Sequence, residues 1–75
     1  MQTNFFSGLT KKERKIAELI TDGKSNREIS EFLGTNEKTV KFHISNIYKK
    51  LGTPSRAKLI VQAFAFREEH GEANV

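Results

Sequence analysis

Apolar residues recur every three or four positions along most of the chain, and this spacing predicts amphipathic helices. The clearest example is the set Val40, Ile44, Ile47 and Leu51, which falls on one helix face and forms a single apolar stripe. The sequence lacks the sustained alternation of apolar and polar residues that would indicate strands. The pattern therefore predicts an all-α fold with four helices.

Each predicted helix follows a residue that can cap free backbone amides. The capping residues are Thr10, Ser25, Asn36 and Ser55. The first two are each followed three residues later by a glutamate, Glu13 and Glu28, which completes a capping box. A glycine follows each of the first three helices, where a left-handed residue typically ends a helix. The fourth helix is predicted to run to about Glu69.

The connection between the second and third helices is very short, because only Gly34, Thr35 and Asn36 separate them. A tight, glycine-containing turn between a short helix and a longer one is typical of a helix-turn-helix. Ser30 is small enough for the two helices to cross closely, and Val40 is placed to point back into the core. Helix pairs with a glycine turn are common, so this pattern alone leaves the function open.

Positive charge is concentrated in the third helix and at the start of the fourth. The net charge of the chain is +4, but residues 38–58 contain six Lys or Arg and no Asp or Glu. Such a block indicates either a surface that faces a polyanion such as nucleic acid or a solvated helix face that is rich in lysine.

The face of the third helix opposite the apolar stripe carries an aromatic residue among lysines. This face comprises Lys38, Phe42, Ser45 and Lys49, flanked by Lys41 and Asn46. An exposed aromatic suits DNA, where apolar groups contact thymine methyls while lysines reach guanine edges or phosphates. In the alternative interpretation, Phe42 folds over onto Phe5 or Phe6 of the N-terminal arm.

A wider set of residues surrounds this pattern: Leu9-Thr10, Glu13, Gly23, Ser25-Asn26, Glu28-Ile29, Leu33, Thr39-Val40-Lys41, His43, Asn46-Ile47, Lys50-Leu51-Gly52 and Arg56. From about residue 9 to residue 63 the chain thus closely resembles the LuxR/FixJ-type helix-turn-helix DNA-binding domain. It is most similar to the small, free-standing members of that family, which have no receiver or ligand-binding domain. Departures are minor, since Ser30, Thr35 and Asn36 stand where the family favours Ala, Ile or Val, and Ser.

The resemblance implies a sequence-specific regulator of transcription that binds duplex DNA as a homodimer. It divides the chain into an N-terminal arm at residues 1–8, a LuxR-type domain at residues 9–69 and a tail at residues 70–75. Within the domain, the helix-turn-helix covers about residues 25–51 and the recognition helix about residues 37–51, while the dimerisation helix covers about residues 56–69. The implied fold has four helices and is winged-helix-like without a wing.

The resemblance also implies which residues contact DNA. The positions that contact bases are Lys41, Phe42 and Ser45. The positions that contact the phosphate backbone are Ser25, Asn26, Thr39, Asn46, Lys49 and Lys50, to which we add Lys38 from the same exposed face. Helix N-terminal amides and short polar side chains suit phosphate oxygens, which position a protein without specifying sequence.

The fourth helix is apolar over more of its surface than one core contact requires, because only Lys58 and Gln62 are polar between residues 57 and 66. We assign Leu59, Ile60 and Ala63 to the core of the monomer. We assign Ala57, Val61, Phe64 and Ala65 to a twofold partner, and the family resemblance also implies pairing through this helix.

Other chemistries lack the residues they need. The chain has no cysteine, and His43 and His70 are far apart without a nearby pair of carboxylates, so we expect no metal site. The sequence Gly23-Lys24-Ser25 lacks the earlier glycine of a P-loop, because position 18 is Glu. We therefore expect no cofactor and no enzymatic activity, and we interpret His43 and Tyr48 as residues at the edge of the core.

Neither a signal peptide nor an apolar run approaching the ~20 residues of a membrane span is present, so we expect a cytoplasmic, nucleoid-associated protein. RNA polymerase is a further candidate partner. The alternative function is a small interaction protein that pairs with, and antagonises, a larger LuxR-type regulator or a polymerase subunit. RNA binding is disfavoured because the sequence lacks the aromatic platform or glycine-rich clamp of single-strand binders.

Overall fold

The computed structural model describes residues 6–69, with side chains described as far as Phe66. Four helices follow one another along the chain: α1 (Lys11–Thr21), α2 (Asn26–Leu33), α3 (Glu37–Leu51) and α4 (Arg56–Glu69). No strand occurs within residues 6–69, so the predicted all-α fold is confirmed. Most of the predicted N-terminal arm, including Phe5, and the predicted tail with His70 lie outside the described residues.

The predicted caps are present at atomic detail. In the first capping box, Thr10 Oγ1 accepts a hydrogen bond from the Glu13 amide at 3.1 Å, and Glu13 Oε1 accepts one from the Thr10 amide at 3.0 Å. The second box, at Ser25 and Glu28, has the matching distances of 3.1 and 2.8 Å. Asn36 Oδ1 caps α3 by accepting a hydrogen bond from the Thr39 amide at 2.8 Å. These local bonds fix where the helices begin.

Glycines end the helices much as predicted. Gly34 and Gly52 follow α2 and α3 with φ of 70° and 67°, a left-handed conformation that other residues adopt only with strain. The end of α1 differs by one position. Asp22 caps the helix with φ of −84°, and Gly23 is the left-handed residue after it, with φ of 88°.

The core lies around α1, which packs against each of the other three helices. Its fully buried large side chains are Ile16, Ile20, Ile29, Val40, Ile47 and Leu59. The predicted stripe of α3 is confirmed, except that Leu51 at its end is only partly buried against the core. Because α4 packs mainly on α1, the outer faces of α3 and α4 both remain available to other molecules. No helix within residues 6–69 is long and apolar enough to cross a membrane.

Phe32 lies at helical spacing from Ile29 on α2 but is not part of the core. Phe32 is 62% exposed, whereas Ile29 is fully buried and Leu33 partly so. The Lys15 ammonium lies 5.2 Å from the centre of the Phe32 ring, and the ring borders a shallow groove of about 350 Å³ between α1 and α2. An exposed ring covered on one side by a lysine is a common surface arrangement.

Candidate nucleic-acid interface

The solvent face of α3 presents the three residues predicted to contact bases. Lys41, Phe42 and Ser45 are all exposed, and Lys38 and Lys49 extend the same face along the helix. From the first to the last of these positions the stripe is about 16 Å long, at 1.5 Å per residue. A helix presenting such a stripe fits the major groove of B-DNA, which is roughly 12 Å wide.

Phe42 lies on the exposed face of α3 and is itself largely exposed. Its side chain is 63% exposed, and its ring contacts the neighbouring His43 ring edge-on, with the ring centres 5.7 Å apart. At this exposure the Phe42 ring is not part of the core, whereas Phe6 is buried, and the contact of Phe42 with DNA stays a prediction. Phe5, the other residue of the alternative interpretation, lies outside the described residues.

Of the residues predicted to contact phosphates, those on α3 lie on or beside this face, and the others lie at the start of α2. Thr39 and Asn46 are half-buried on α3, next to its exposed stripe, as is His43. Ser25 is exposed, although its hydroxyl oxygen already accepts the Glu28 amide as the cap of α2. As predicted, Tyr48 lies at the edge of the core, where it is partly buried.

Lys50 has a structural partner that the sequence did not reveal. Its ammonium lies 2.7 Å from Oε1 of Glu13, a residue that is only 6% exposed, and the same oxygen completes the α1 capping box. The bond from Lys50, and after it that from the Thr10 amide, holds the pKa of the Glu13 carboxyl below its usual value of 4.5. The same ammonium that is predicted to contact a phosphate therefore forms an ion pair that joins the end of α3 to the start of α1.

Asn26 also has a partner within the fold. Arg56, the first residue of α4, donates from Nη1 to Asn26 Oδ1 at 2.7 Å and from Nη2 to the Lys24 carbonyl oxygen at 2.6 Å. Arg56 belongs to the family-like residues, but its sequence position gave no indication of this contact, because its partners lie 30 and 32 residues earlier.

The apolar residues of α4 divide into a set that faces the core and a set that is exposed. Leu59 and Ala63 are buried and Ile60 packs partly against the core. The residues assigned to a partner, Ala57, Val61, Phe64 and Ala65, are all exposed. Val61 is 61% exposed and Phe64 46% exposed, which leaves substantial apolar area on this side of the helix. The face available for pairing is therefore present, and pairing itself stays a prediction.

Comparison with known proteins decides the family. Residues 7–63 match the luxR family of bacterial regulatory proteins. The matched segment covers the whole helix-turn-helix and the first half of α4. The chain belongs to the luxR family. The resemblance predicted from the sequence is thereby confirmed, and with it the LuxR-type helix-turn-helix as the fold.

Individual luxR-family relatives differ greatly in length. The spore germination protein GerE of Bacillus subtilis is 42% identical over 60 residues, which are 80% of this chain and 81% of GerE. The transcriptional regulatory protein DegU of Brevibacillus brevis is 46% identical over 55 residues, 73% of this chain but 23% of DegU. The transcriptional activator protein LuxR of Aliivibrio fischeri is 42% identical over 55 residues, 73% of this chain and 22% of LuxR. The chain thus spans most of GerE and less than a quarter of DegU or LuxR.

Membership of the luxR family makes the chain a DNA-binding regulatory domain and not an enzyme, as the sequence predicted. The predicted similarity to small members of the family agrees with the match over 81% of GerE. Within residues 6–69, no group of three His, Asp or Glu side chains is placed to hold a metal ion. The chemistry available at the α3 face is hydrogen bonding, charge and apolar contact.

Proposed function

We propose that this luxR-family domain regulates transcription by inserting α3 into the major groove of duplex DNA, as one half of a symmetric dimer. The observation that carries the proposal is the exposed stripe of Lys41, Phe42 and Ser45 on α3, opposite its buried stripe and within a stretch free of acidic residues. An exposed aromatic ring between lysines complements the thymine methyls and guanine edges of the major groove.

Base contacts and phosphate contacts fall to different residues in this proposal. Lys41 and Ser45 donate to base edges while Phe42 meets a thymine methyl. The phosphate contacts come from residues at the border of the stripe and at the start of α2: Ser25, Asn26, Lys38, Thr39, Asn46, Lys49 and Lys50. An ammonium has three donors, so Lys50 can contact a phosphate and keep its bond to Glu13.

Pairing through α4 completes the proposed assembly. The exposed face of Ala57, Val61, Phe64 and Ala65 supplies the apolar surface, and twofold symmetry sets each face against its copy. Two recognition helices in one dimer then contact half-sites about 34 Å apart, or a multiple of that distance. The face is small, so we expect the free dimer to be weak and to be strengthened by DNA.

Selection of bound duplexes from a random pool tests this function directly. The expected result is an enriched sequence with two half-sites in twofold arrangement, and an affinity that falls steeply as salt rises. Enrichment of single, unpaired half-sites would argue against the dimer. A pool with no enriched sequence, combined with no salt dependence, would contradict DNA recognition by this domain.

A second candidate function uses the same α4 face on a different partner. The exposed Val61 and Phe64 would allow this chain to pair with a larger luxR-family regulator or a polymerase subunit and to block it. Such an antagonist would not shift a duplex probe by itself. As a DNA-bound regulator, in contrast, the protein would be associated with the nucleoid, with RNA polymerase as a further partner.

A further inference from the structure

Arg56 joins the start of α4 to the start of the helix-turn-helix. The two terminal nitrogens of its guanidinium bind two acceptors at once, Asn26 Oδ1 at 2.7 Å and the Lys24 carbonyl oxygen at 2.6 Å. Lys24 lies in the turn before α2 and Asn26 is the first residue of α2. Both acceptors therefore belong to the segment that the proposed function turns toward a phosphate.

The chemistry of this contact determines how the Asn26 amide is oriented. A guanidinium carries only donors, so the amide oxygen must face Arg56. The amide nitrogen Nδ2, with its two hydrogens, then points away from Arg56. A phosphate oxygen accepts hydrogen bonds and cannot donate them, so only this orientation gives Asn26 a favourable contact with DNA.

We propose that Arg56 is a positioning residue for DNA binding: by holding the oxygen of Asn26, it presents Nδ2 of that side chain to a backbone phosphate. The inference rests on the proposed function, since it needs α2 to face DNA. The second hydrogen bond of Arg56, to the Lys24 carbonyl oxygen, fixes the turn from which α2 starts. Arg56 also brings its own positive charge close to the same phosphate, which adds a second contribution that an experiment must separate.

A double-mutant cycle separates orientation from charge. The duplex affinity of the wild-type chain is compared with that of Arg56→Ala, Asn26→Ala and the double variant. We expect Arg56→Ala to weaken binding about three- to tenfold, since binding must then order the Asn26 side chain unaided. In the Asn26→Ala background, we expect Arg56→Ala to have at most the small effect of a lost charge. Lys58→Ala is the matched control, because it removes an exposed cation two residues along α4 that has no bond to α2.

Asn26→Asp provides a test that does not depend on losing Arg56. The carboxylate keeps an acceptor for Arg56, so the domain is expected to stay folded, but it has no N–H group to offer a phosphate. We expect Asn26→Asp to bind DNA at least as weakly as Asn26→Ala while its thermal midpoint stays at or above that of the wild type. Wild-type affinity in Asn26→Asp would overturn the inference.

The outcomes distinguish this inference from the function on which it rests. If the wild-type chain showed no salt-dependent duplex binding, both would fail. If the wild type bound DNA but Arg56→Ala weakened binding equally in both backgrounds, only the role assigned to Arg56 would fail. Equal effects of Arg56→Ala and Lys58→Ala would likewise assign the loss to charge alone.

Discussion

Side chains that lie close together along α3 differ greatly in burial, and burial decides whether a side chain can stabilise the fold or bind another molecule. Ile47 is fully buried and packs in the core, whereas Phe42, five positions earlier, is 63% exposed although it is larger and equally apolar. A buried side chain contributes to the free energy of folding, while an exposed one can contribute mainly through what it binds. Substitutions at these two positions should therefore have separable effects.

Phe42→Ala should reduce sequence preference and leave stability within about 0.5 kcal/mol of the wild type, because the ring is exposed. Ile47→Ala on the same helix is the control, and its cavity should cost about 2–5 kcal/mol of unfolding free energy. Thermal melts and base-by-base competition binding measure the two properties. A melting temperature for Phe42→Ala that fell as far as that of Ile47→Ala would place the ring in a packed core.

Lys41 and Lys49 carry the same charge but are predicted to act on different parts of DNA. Lys41→Ala should relax base preference at one position by about 1–3 kcal/mol. Lys49→Ala should weaken binding to all sequences alike and reduce the salt slope by about one. Salt titrations on the selected duplex and on its single-base variants measure both effects. Unchanged specificity in Lys41→Ala, together with an unchanged slope in Lys49→Ala, would refute the assignment of this face.

At the scale of elements, short-range patterns could be predicted and long-range contacts could not. The caps at Thr10, Ser25 and Asn36 depend on residues three positions away, so the sequence displays both partners together. The contact of Lys50 with Glu13 spans 37 residues, and that of Arg56 with Asn26 spans 30. Such contacts depend on how helices pack, which residue spacing along one helix does not specify.

The exposure of Phe32 cannot be predicted from helical spacing, for a related reason. Helical spacing groups Phe32 with Ile29 and Leu33, but α2 has only eight residues and its buried face is narrow. Which edge of an apolar stripe remains exposed depends on where the neighbouring helix lies. For α3, whose buried stripe repeats over four positions, the core-facing and exposed sides could both be predicted.

The Glu13 contact makes the joining of α1 to α3 dependent on pH. Because the pKa of Glu13 in the folded chain lies below its usual value of 4.5, its carboxylate stabilises the fold fully above that pH. This stabilisation is lost as the pH falls below 4.5 and through the lowered pKa. A hydrogen bond from the Ser25 amide lowers the pKa of the Glu28 carboxyl as well. Both capping boxes therefore weaken as the pH falls.

Glu13→Gln should therefore lower stability at neutral pH and make it depend less steeply on pH in the acid range. The amide keeps an acceptor for the Thr10 amide but has no charge for Lys50. Denaturant unfolding at neutral pH and below pH 4.5 measures the difference. Glu18→Gln, at an exposed position of the same helix, is the control and should resemble the wild type. An acid dependence in Glu13→Gln as steep as that of the wild type would exclude the ion pair as its cause.

At the scale of the whole molecule, the fold exposes the two faces of the proposed function on different helices. The basic face on α3 lies within a stretch without acidic residues. The exposed face of α4 is apolar, and the opposite side of that helix packs against α1. DNA binding and pairing can therefore proceed together, because neither face covers the other's residues. Arg56, the first residue of α4, contacts the start of α2 and so joins α4 to the helix-turn-helix.

Phe64→Glu tests whether the α4 face pairs two copies on DNA. A carboxylate in the centre of a small apolar interface should abolish cooperative binding to a duplex with two half-sites, while the helical content of the chain remains. Phe32→Glu is the matched control, because it makes the same substitution at an exposed aromatic on α2, outside the α4 face. Sedimentation and circular dichroism, with and without the duplex, report assembly and folding.

Separating the half-sites by an extra half-turn of DNA should reproduce the defect in the wild type, since the two recognition helices would then face opposite sides of the duplex. An unfolded Phe64→Glu chain would assign this residue to the core, and unchanged cooperativity would remove α4 from the interface.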